Sequence, residues 1–270
     1  MTIITRGGVR ISYDDCGGTG PLAVLVMGSG SPGRVWHTHQ VPALRGAGFR
    51  VVTLDNRGVG GSDECTAGFT IDDMVGDVAA LVEHLDAGPA AVVGTSLGAR
   101  IVVELALAHP DLVTRAVALA AHARLDPVQR AFTAGEIALA DEKIVLPLGF
   151  HAAVAAMQNL SPATLRDEQT AQDWLDLLSF GGAAITPGHR AQLAASTALA
   201  DRGAAYRDVA VPLLVVAFAD DVAIPPRLSR EVADTVPGAR YVEIPDAGHF
   251  GYLERPDEVN RVLLDFLAVR

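Results

Sequence analysis

Cysteine is scarce in this chain of 270 residues, which contains only Cys16 and Cys65. Two cysteines are too few for a disulfide framework, and their positions match no zinc-binding spacing. We therefore expect two free thiols in a reducing compartment. A hydrophobic core must hold the fold instead, and 50% hydrophobic residues are enough to build a large one.

Basic residues are also few, because 21 Lys and Arg stand against 32 Asp and Glu and give a formal net charge of -11. Such a surface repels the phosphates of nucleic acids and of anionic membranes, so neither is an expected partner. No run of residues approaches the length of a membrane span, and the first residues lack the pattern of a signal peptide. The sequence predicts a cytoplasmic protein that binds a small molecule, with its oligomeric state left open.

Short apolar runs alternate with segments of helical periodicity along much of the chain. This pattern predicts an α/β fold in which a mostly parallel sheet is flanked by helices. The runs that we interpret as strands are residues 9–13, 22–27, 51–54, 90–93, 116–120, 213–219 and 240–244. A helix is expected at 35–45, and Thr70 and Asp73 form a capping-box signature before another helix.

The alternation stops between residues 123 and 207. Four prolines divide this stretch into several expected helices: Pro127, Pro147, Pro162 and Pro187. Helices inserted between two core strands would form a lid. We therefore predict an α/β core of residues 1–122 and 208–270 and a helical lid of residues 123–207.

One serine lies between two glycines where an apolar strand is followed by an amphipathic helix. The stretch is Gly94-Thr95-Ser96-Leu97-Gly98. It is typical of a nucleophile elbow, a tight turn that needs small flanking residues and exposes the serine hydroxyl. The start of the following helix offers free backbone N–H groups to developing negative charge. A plain strand-to-helix turn can have the same pattern, so assigning Ser96 as a nucleophile also requires catalytic partners elsewhere in the chain.

A serine nucleophile needs a base and a third group that orients the base. Of the eight histidines, His249 lies in a short loop between an expected strand and the final amphipathic helix. Asp220 and Asp221 end the apolar run at 213–219, where α/β sheets form their ligand crevice. The residues alone thus predict Ser96, His249 and one of the two aspartates as catalytic groups.

In the order of its motifs the chain resembles the α/β-hydrolase fold family over nearly its full length. The stretches that carry the resemblance are VLVMGSG at 24–30, DNRGVGGS at 55–62, GTSLG at 94–98, DVAIP at 221–225, GH at 248–249 and ERP at 254–256. The resemblance implies the α/β-hydrolase fold with an inserted helical lid and the activity of a serine esterase. In the family the acid of the triad lies four residues before a proline, which implies Asp221 and leaves Asp220 as a solvated neighbour.

The resemblance also implies that the backbone N–H groups of Ser29 and Leu97 form the oxyanion hole. Many members have His-Gly after the third strand, where this chain has Met27-Gly28. Because backbone groups are the donors, the missing histidine alters what supports the loop and leaves the donors in place. Gly28 lets the loop approach the substrate closely.

The expected lid has no charged cluster, which favours a mainly apolar acyl or ring-containing substrate. Together with Gly28, the candidate substrate-binding residues are Trp36, His122, Phe150 and Trp174. Trp36 follows the oxyanion loop, and His122 lies just beyond an expected strand. Phe150 and Trp174 belong to the lid.

No metal and no organic cofactor is expected. His37 and His39 are two residues apart, so on a helix they would point in different directions, and they lack a third ligand. The glycines at 28 and 30 suggest a dinucleotide loop, but the spacing of the G-x-G-x-x-G fingerprint is absent. The predicted reaction is therefore acyl transfer from an ester or thioester to Ser96 and then to water.

Other functions stay open at this point. Serine members of the family also include hydrolases that cleave carbon–carbon bonds next to a ketone and enzymes that form peracids without a cofactor. All of them use the same triad. A family member can also keep the fold as a non-catalytic ligand-binding protein.

Overall fold

The computed structural model describes residues 1–198 and 200–268, so the last two residues of the predicted core and residue 199 of the predicted lid lie outside the described part. The strands are β1 (Thr2–Arg6), β2 (Val9–Asp15), β3 (Leu22–Val26), β4 (Arg50–Leu54), β5 (Ala90–Thr95), β6 (Val113–Leu119), β7 (Leu213–Phe218) and β8 (Arg240–Ile244). The α-helices are α1 (Gln40–Gly46), α2 (Ile71–His84), α3 (Leu97–Ala108), α4 (Pro127–Asp141), α5 (Leu148–Asn159), α6 (Pro162–Leu165), α7 (Glu168–Phe180), α8 (Pro187–Ala198), α9 (Pro226–Thr235), α10 (Gly251–Glu254) and α11 (Pro256–Leu267). None of these helices is both long and apolar enough to cross a bilayer.

All eight strands belong to one sheet, in the order β1-β2-β4-β3-β5-β6-β7-β8. The pairs β1–β2 and β2–β4 are antiparallel, and the remaining pairs are parallel. Every residue of β3, β5 and β7 is buried, as expected for central strands that are covered on both faces. The predicted fold class, a mostly parallel sheet flanked by helices, is confirmed.

The two faces of the sheet have separate hydrophobic cores. Val24 and Val26 of β3 pack into the cluster that contains residues of α2 and α3, whereas Ala23 and Leu25 pack into the cluster that contains residues of α1 and α11. The alternation follows from the two-residue period of a strand. Since both faces are covered, the ends of the strands are the places where polar side chains can meet a ligand.

The prediction of one continuous helix at 35–45 is wrong, because the segment is divided into two helices. The structure has a 3₁₀ helix at Gly33–Thr38, and α1 begins only at Gln40. Pro42 explains the break, because inside one continuous helix it would lack an N–H donor and its ring would clash with the preceding turn. In α1 it lies in the first turn, where the missing N–H is tolerated.

Strand β1 has no counterpart in the sequence prediction, although a signal for it exists. Gly7 and Gly8 connect β1 to β2, and both have positive φ angles of 56° and 82°. A two-residue turn of this kind is the usual connection of a β-hairpin, and two glycines favour it strongly.

The predicted capping box at Thr70 and Asp73 is confirmed at the start of α2.

Helices α4 to α8 lie between β6 and β7, within the segment predicted as a lid, and are called the inserted helices below. Pro127, Pro162 and Pro187 are the first residues of α4, α6 and α8, and Pro147 directly precedes α5. Proline suits the first helical position because the N–H that it lacks has no helical partner there. The division of the chain into core and lid stays a prediction.

Three strands lead to the predicted catalytic residues at their carboxyl ends. Ser96 directly follows β5, while Asp221 and His249 lie in the loops after β7 and β8. Strands β5, β6, β7 and β8 are neighbours in the sheet and all run parallel. Their carboxyl ends therefore lie along one edge of the sheet, the edge at which open α/β sheets bind ligands.

Candidate active site

Ser96 occupies a strained turn between β5 and α3. Its φ of 56° and ψ of -117° lie in a region that residues with a side chain rarely adopt. The turn is tightly packed, since a Cβ atom at Gly94 would lie 2.2 Å from the carbonyl oxygen of Gly98, and one at Gly98 would lie 2.2 Å from that of Val26. Both positions thus require glycine, and the packing holds the serine in its unusual conformation.

His249 and Asp221 form a hydrogen bond of 2.7 Å between Nδ1 of the imidazole and Oδ2 of the carboxylate. The other oxygen, Oδ1, accepts a hydrogen bond of 2.7 Å from the backbone N–H of Ile224. Burial alone lowers the pKa of His249, but the charge of Asp221 and the hydrogen bond to it outweigh burial and raise that pKa above the ordinary value of 6.5. Asp221 is therefore fixed at both oxygens and favours the imidazolium form of His249.

Asp220 has no such contacts. Its carboxylate forms no hydrogen bond or ion pair with the described residues, and its backbone N–H donates to the carbonyl of Ala247 at 2.9 Å. The geometry thus distinguishes the two neighbouring aspartates, and it is Asp221 that contacts His249.

Ser96 and His249 line one cavity of about 550 Å³, a volume usual for small-molecule sites. The predicted residues that also line it are Gly28, Ser29, Leu97 and His122. The inserted helices supply much of the remaining wall, including Phe132 and Met157. A substrate in this cavity would thus lie between the sheet edge and the inserted helices.

The loop after β3 lies directly beside Ser96, since a Cβ atom at Gly28 would be 3.3 Å from that of the serine. Gln192 of α8 supports this loop: its Oε1 accepts from the N–H of Gly30 at 2.8 Å, and its Nε2 donates to the carbonyl of Arg57 at 2.8 Å. Asn56 donates a further hydrogen bond of 2.9 Å to the carbonyl of Met27. These amides support the loop in a chain that has Met27 where many family members have histidine.

The loop of His249 is also tied to the inserted helices. Glu254 accepts hydrogen bonds from the backbone N–H groups of Gly248 and Ser161, at 2.7 and 2.8 Å. On the other side of the histidine, the N–H of Phe250 donates to the carbonyl of Asn159 at 2.9 Å. The position of the imidazole thus depends on contacts on both sides of it in the chain.

Three predicted substrate-binding residues do not line the cavity. Trp36 is 0% exposed and packs in the core, with its ring 5.1 Å from that of Tyr252. Phe150 of α5 is 58% exposed and is not among the residues that line the cavity. Trp174 does not line the cavity either, although its ring lies 6.3 Å from that of Phe250, which does. Sequence position near the loop after β3 or in the inserted helices does not indicate which face of an element borders the cavity.

The cavity contains titratable groups besides His249. Burial, aided by the charges of Arg100 and His249, lowers the pKa of His122 to about 3, and burial lowers that of His189 to about 4. Both imidazoles are therefore neutral at pH 7. Burial raises the pKa of Glu136, on α4, to about 7. Glu136 and His189 are not among the residues predicted from the sequence. Glu136 lies one helical turn from Thr133, so the two residues share the face of α4 that lines the cavity.

His37 was expected to have no further potential metal ligand nearby, but the structure places Cys16 and Asp14 close to it. Its Nε2 lies 3.4 Å from Sγ of Cys16, 3.1 Å from Oγ1 of Thr53 and 3.7 Å from Oδ2 of Asp14. None of these residues lines the cavity that contains Ser96. Both cysteines are free thiols in the structure, and the absence of a metal stays a prediction.

The fold, a mostly parallel sheet flanked by helices, is that of the α/β hydrolases, and the comparisons with known proteins agree. The profile of the Alpha/beta hydrolase family matches residues 23–262. The chain belongs to this family.

Among its relatives is BpoC of Mycobacterium tuberculosis, named as a candidate non-heme bromoperoxidase, which is 46% identical over 260 residues that cover 96% of this chain and 98% of BpoC. The crystal structure of BpoC superposes with a TM-score of 0.91 over 96% of this chain and 95% of that one. RutD of Serratia proteamaculans, named as a candidate carbamate hydrolase, is 31% identical over 92% of this chain and 91% of its own length. The enol-lactonase of Burkholderia xenovorans is 28% identical, with a TM-score of 0.86 over 99% of this chain and 100% of that chain.

Proposed function

We propose that this protein hydrolyses a carboxylic ester or thioester of a mainly apolar small molecule, with Ser96 as nucleophile, His249 as base and Asp221 as the acid that orients it. The observation that carries the proposal is the 2.7 Å hydrogen bond between Asp221 and His249, in a cavity that Ser96 also lines. Because a carboxylate can only accept, Nδ1 of His249 carries the hydrogen. Nε2 is then free to take a proton from the serine hydroxyl.

The proposed reaction has two halves. As Oγ of Ser96 bonds to the acyl carbon, its proton moves to His249, which then passes the proton to the leaving oxygen or sulfur as that bond breaks. Water attacks the acyl-enzyme in the same way and releases the acid. The charge of Asp221 stabilises the imidazolium in both halves, and no step requires a metal or an organic cofactor.

The N–H groups of Ser29 and Leu97 are proposed to bind the oxyanion. Both residues line the cavity, and Leu97 is the first residue of α3, where backbone N–H groups lack helical partners. Within the described residues neither N–H takes part in another hydrogen bond. Donors held in place before the reaction stabilise the tetrahedral intermediate without reorganisation.

The composition of the cavity and the relatives support an ester of mainly apolar character. Leu125, Val128, Val154, Leu193 and Ile224 are among the side chains that form its wall. The related enol-lactonase acts, by its name, on a lactone, which is a cyclic ester. A small-molecule ester is thus the proposed partner.

We expect the purified protein to hydrolyse a short-chain aryl ester and to react covalently with a serine-directed phosphonate at Ser96. The measurement is release of the aryl alcohol, together with mass spectrometry of the labelled protein. Absence of both turnover and labelling would contradict the proposal and favour the alternative of a non-catalytic ligand-binding protein.

The activity should depend on pH through His249. The neutral imidazole is the base, and its pKa is raised, so kcat/KM should fall as the pH decreases through a value above 6.5. Glu136 titrates in the same range, because burial raises its pKa to about 7. The profile is therefore measured in the protein and in the Glu136→Gln variant, and the acidic limb should remain in both. A limb well below pH 6.5 in the variant would show that Asp221 does not raise the pKa of His249.

Perhydrolysis is the second candidate, and the name of the relative BpoC favours it. In this reaction hydrogen peroxide replaces water: a peroxide oxygen bonds to the acyl carbon, the bond to Ser96 breaks, and the proton returns to the serine through His249. The products are a peracid and the free enzyme. Oxidation of bromide in the presence of peroxide and a short carboxylic acid, lost in Ser96→Ala, distinguishes this reaction from simple hydrolysis.

A further inference from the structure

Glu136 is an acidic side chain that neither the fold nor the proposed mechanism requires. It lies on the face of α4 that also carries Gln129, Phe132 and Thr133, and all four residues line the cavity of Ser96. The helix is held in this position because Gln129 donates a hydrogen bond of 2.9 Å to the carbonyl of Ala223, in the loop that follows Asp221. The carboxyl group is thus placed on the wall contributed by the inserted helices.

No cation accompanies this acid. Within the described residues the carboxylate of Glu136 forms no hydrogen bond and no ion pair. None of the described residues that line the cavity is lysine or arginine, and burial keeps His122 and His189 neutral. Glu136 is partly buried, and an unpaired acid with a raised pKa on the wall of a ligand cavity is a candidate for ligand recognition.

The charge of the cavity also limits what can bind. Above pH 7 Glu136 is ionised and the described residues that line the cavity include no fixed cation, so a substrate that carries a carboxylate or phosphate would meet repulsion and no compensating ion pair. A hydroxyl or an ammonium group would instead provide the hydrogen bond that Glu136 lacks.

We propose that Glu136 is a specificity-determining residue that binds a hydrogen-bond donor, a hydroxyl or ammonium group, on the part of the substrate remote from the ester carbonyl. The inference rests on the proposed esterase function. It narrows the substrate class to esters whose otherwise apolar acyl or alcohol part ends in such a donor.

The test is carried out at a pH well above 7, where Glu136 is ionised, and compares aryl esters whose acyl chains end in methyl, hydroxyl, ammonium or carboxylate, over a range of chain lengths. The protein should prefer the hydroxyl and ammonium esters to the carboxylate ester by roughly 100-fold in kcat/KM, because two like charges placed together are strongly unfavourable. Glu136→Leu should lower kcat/KM for the hydroxyl and ammonium esters by about 10- to 100-fold, the range expected for a hydrogen bond to a charged group. The methyl ester should change less than about twofold, because it makes no such bond.

Two further variants sharpen the result. Glu136→Gln retains an acceptor without the charge, so it should keep much of the activity on the hydroxyl ester and lose the preference for ammonium. Glu142→Gln removes a charge from an exposed residue just beyond α4 and outside the cavity, and it should leave the ranking of the esters unchanged.

The outcomes separate the two proposals. An equal loss on all four esters in Glu136→Leu, or an unchanged ranking in both Glu136 variants, would overturn the role of Glu136 while leaving the esterase function intact. Absence of turnover for every ester, with no phosphonate labelling of the unmodified protein, would overturn the esterase function itself.

Discussion

Replacing Ser96 with alanine is expected to lower kcat for an aryl ester on the order of 10⁶-fold, as loss of a serine nucleophile has done elsewhere. In the proposed mechanism the oxygen of Ser96 forms the acyl-enzyme, so neither His249 nor the proposed oxyanion donors could compensate for its loss. Covalent labelling by a phosphonate should disappear as well. The residual rate over water would reflect the oxyanion hole and binding alone.

The fold should survive this change, because alanine and serine have nearly the same size and Ser96 forms no side-chain hydrogen bond with the described residues. Thermal unfolding of the variant and binding of a non-hydrolysable ester analogue provide the control. Ser179→Ala, in α7 and outside the cavity, should retain full activity and labelling. Labelling that persists in Ser96→Ala would assign the nucleophile to another residue.

The sequence could predict the strand ends that carry these residues because their signals are local. A buried run ends at Thr95, two glycines enclose Ser96, and Asp221 and His249 each follow a strand pattern. Parallel strands align their carboxyl ends, so residues that are far apart along the chain become neighbours. The choice between Asp220 and Asp221 needed the family resemblance, since both follow the same strand.

Side chains that reach the site across the fold could not be predicted in this way. Gln192 supports the loop at Gly30 across 162 positions of sequence, and nothing in its own surroundings indicates this contact. The same holds for Glu136, whose orientation depends on how α4 packs over the sheet edge. Trp36 shows the opposite error: it follows the loop after β3 in sequence and was expected to bind substrate, but its side chain is buried in the core and does not line the cavity.

Asp221→Asn is expected to lower kcat on the order of 10⁴-fold, as the same change at a triad aspartate has done elsewhere. The hydrogen bond from Ile224 determines how an asparagine at position 221 would be oriented. The backbone N–H of Ile224 requires an oxygen acceptor, so the amide NH₂ of the asparagine must face Nδ1 of His249. Nδ1 then accepts a hydrogen bond, the ring hydrogen moves to Nε2, and the nitrogen that should take the serine proton is already protonated.

The loss of charge at residue 221 should also remove the influence that raises the pKa of His249, so the acidic limb of the pH profile should move to lower pH. Asp220→Asn is the matched control, since it changes the same side chain one position earlier without touching His249. It should keep activity within about threefold, as expected for a partly buried carboxylate that forms no hydrogen bond or ion pair with the described residues. Equal losses of activity in the two variants would show that the acid of the site had been assigned to the wrong aspartate. An acidic limb of the pH profile that does not shift in Asp221→Asn would show that another group sets the pKa of His249.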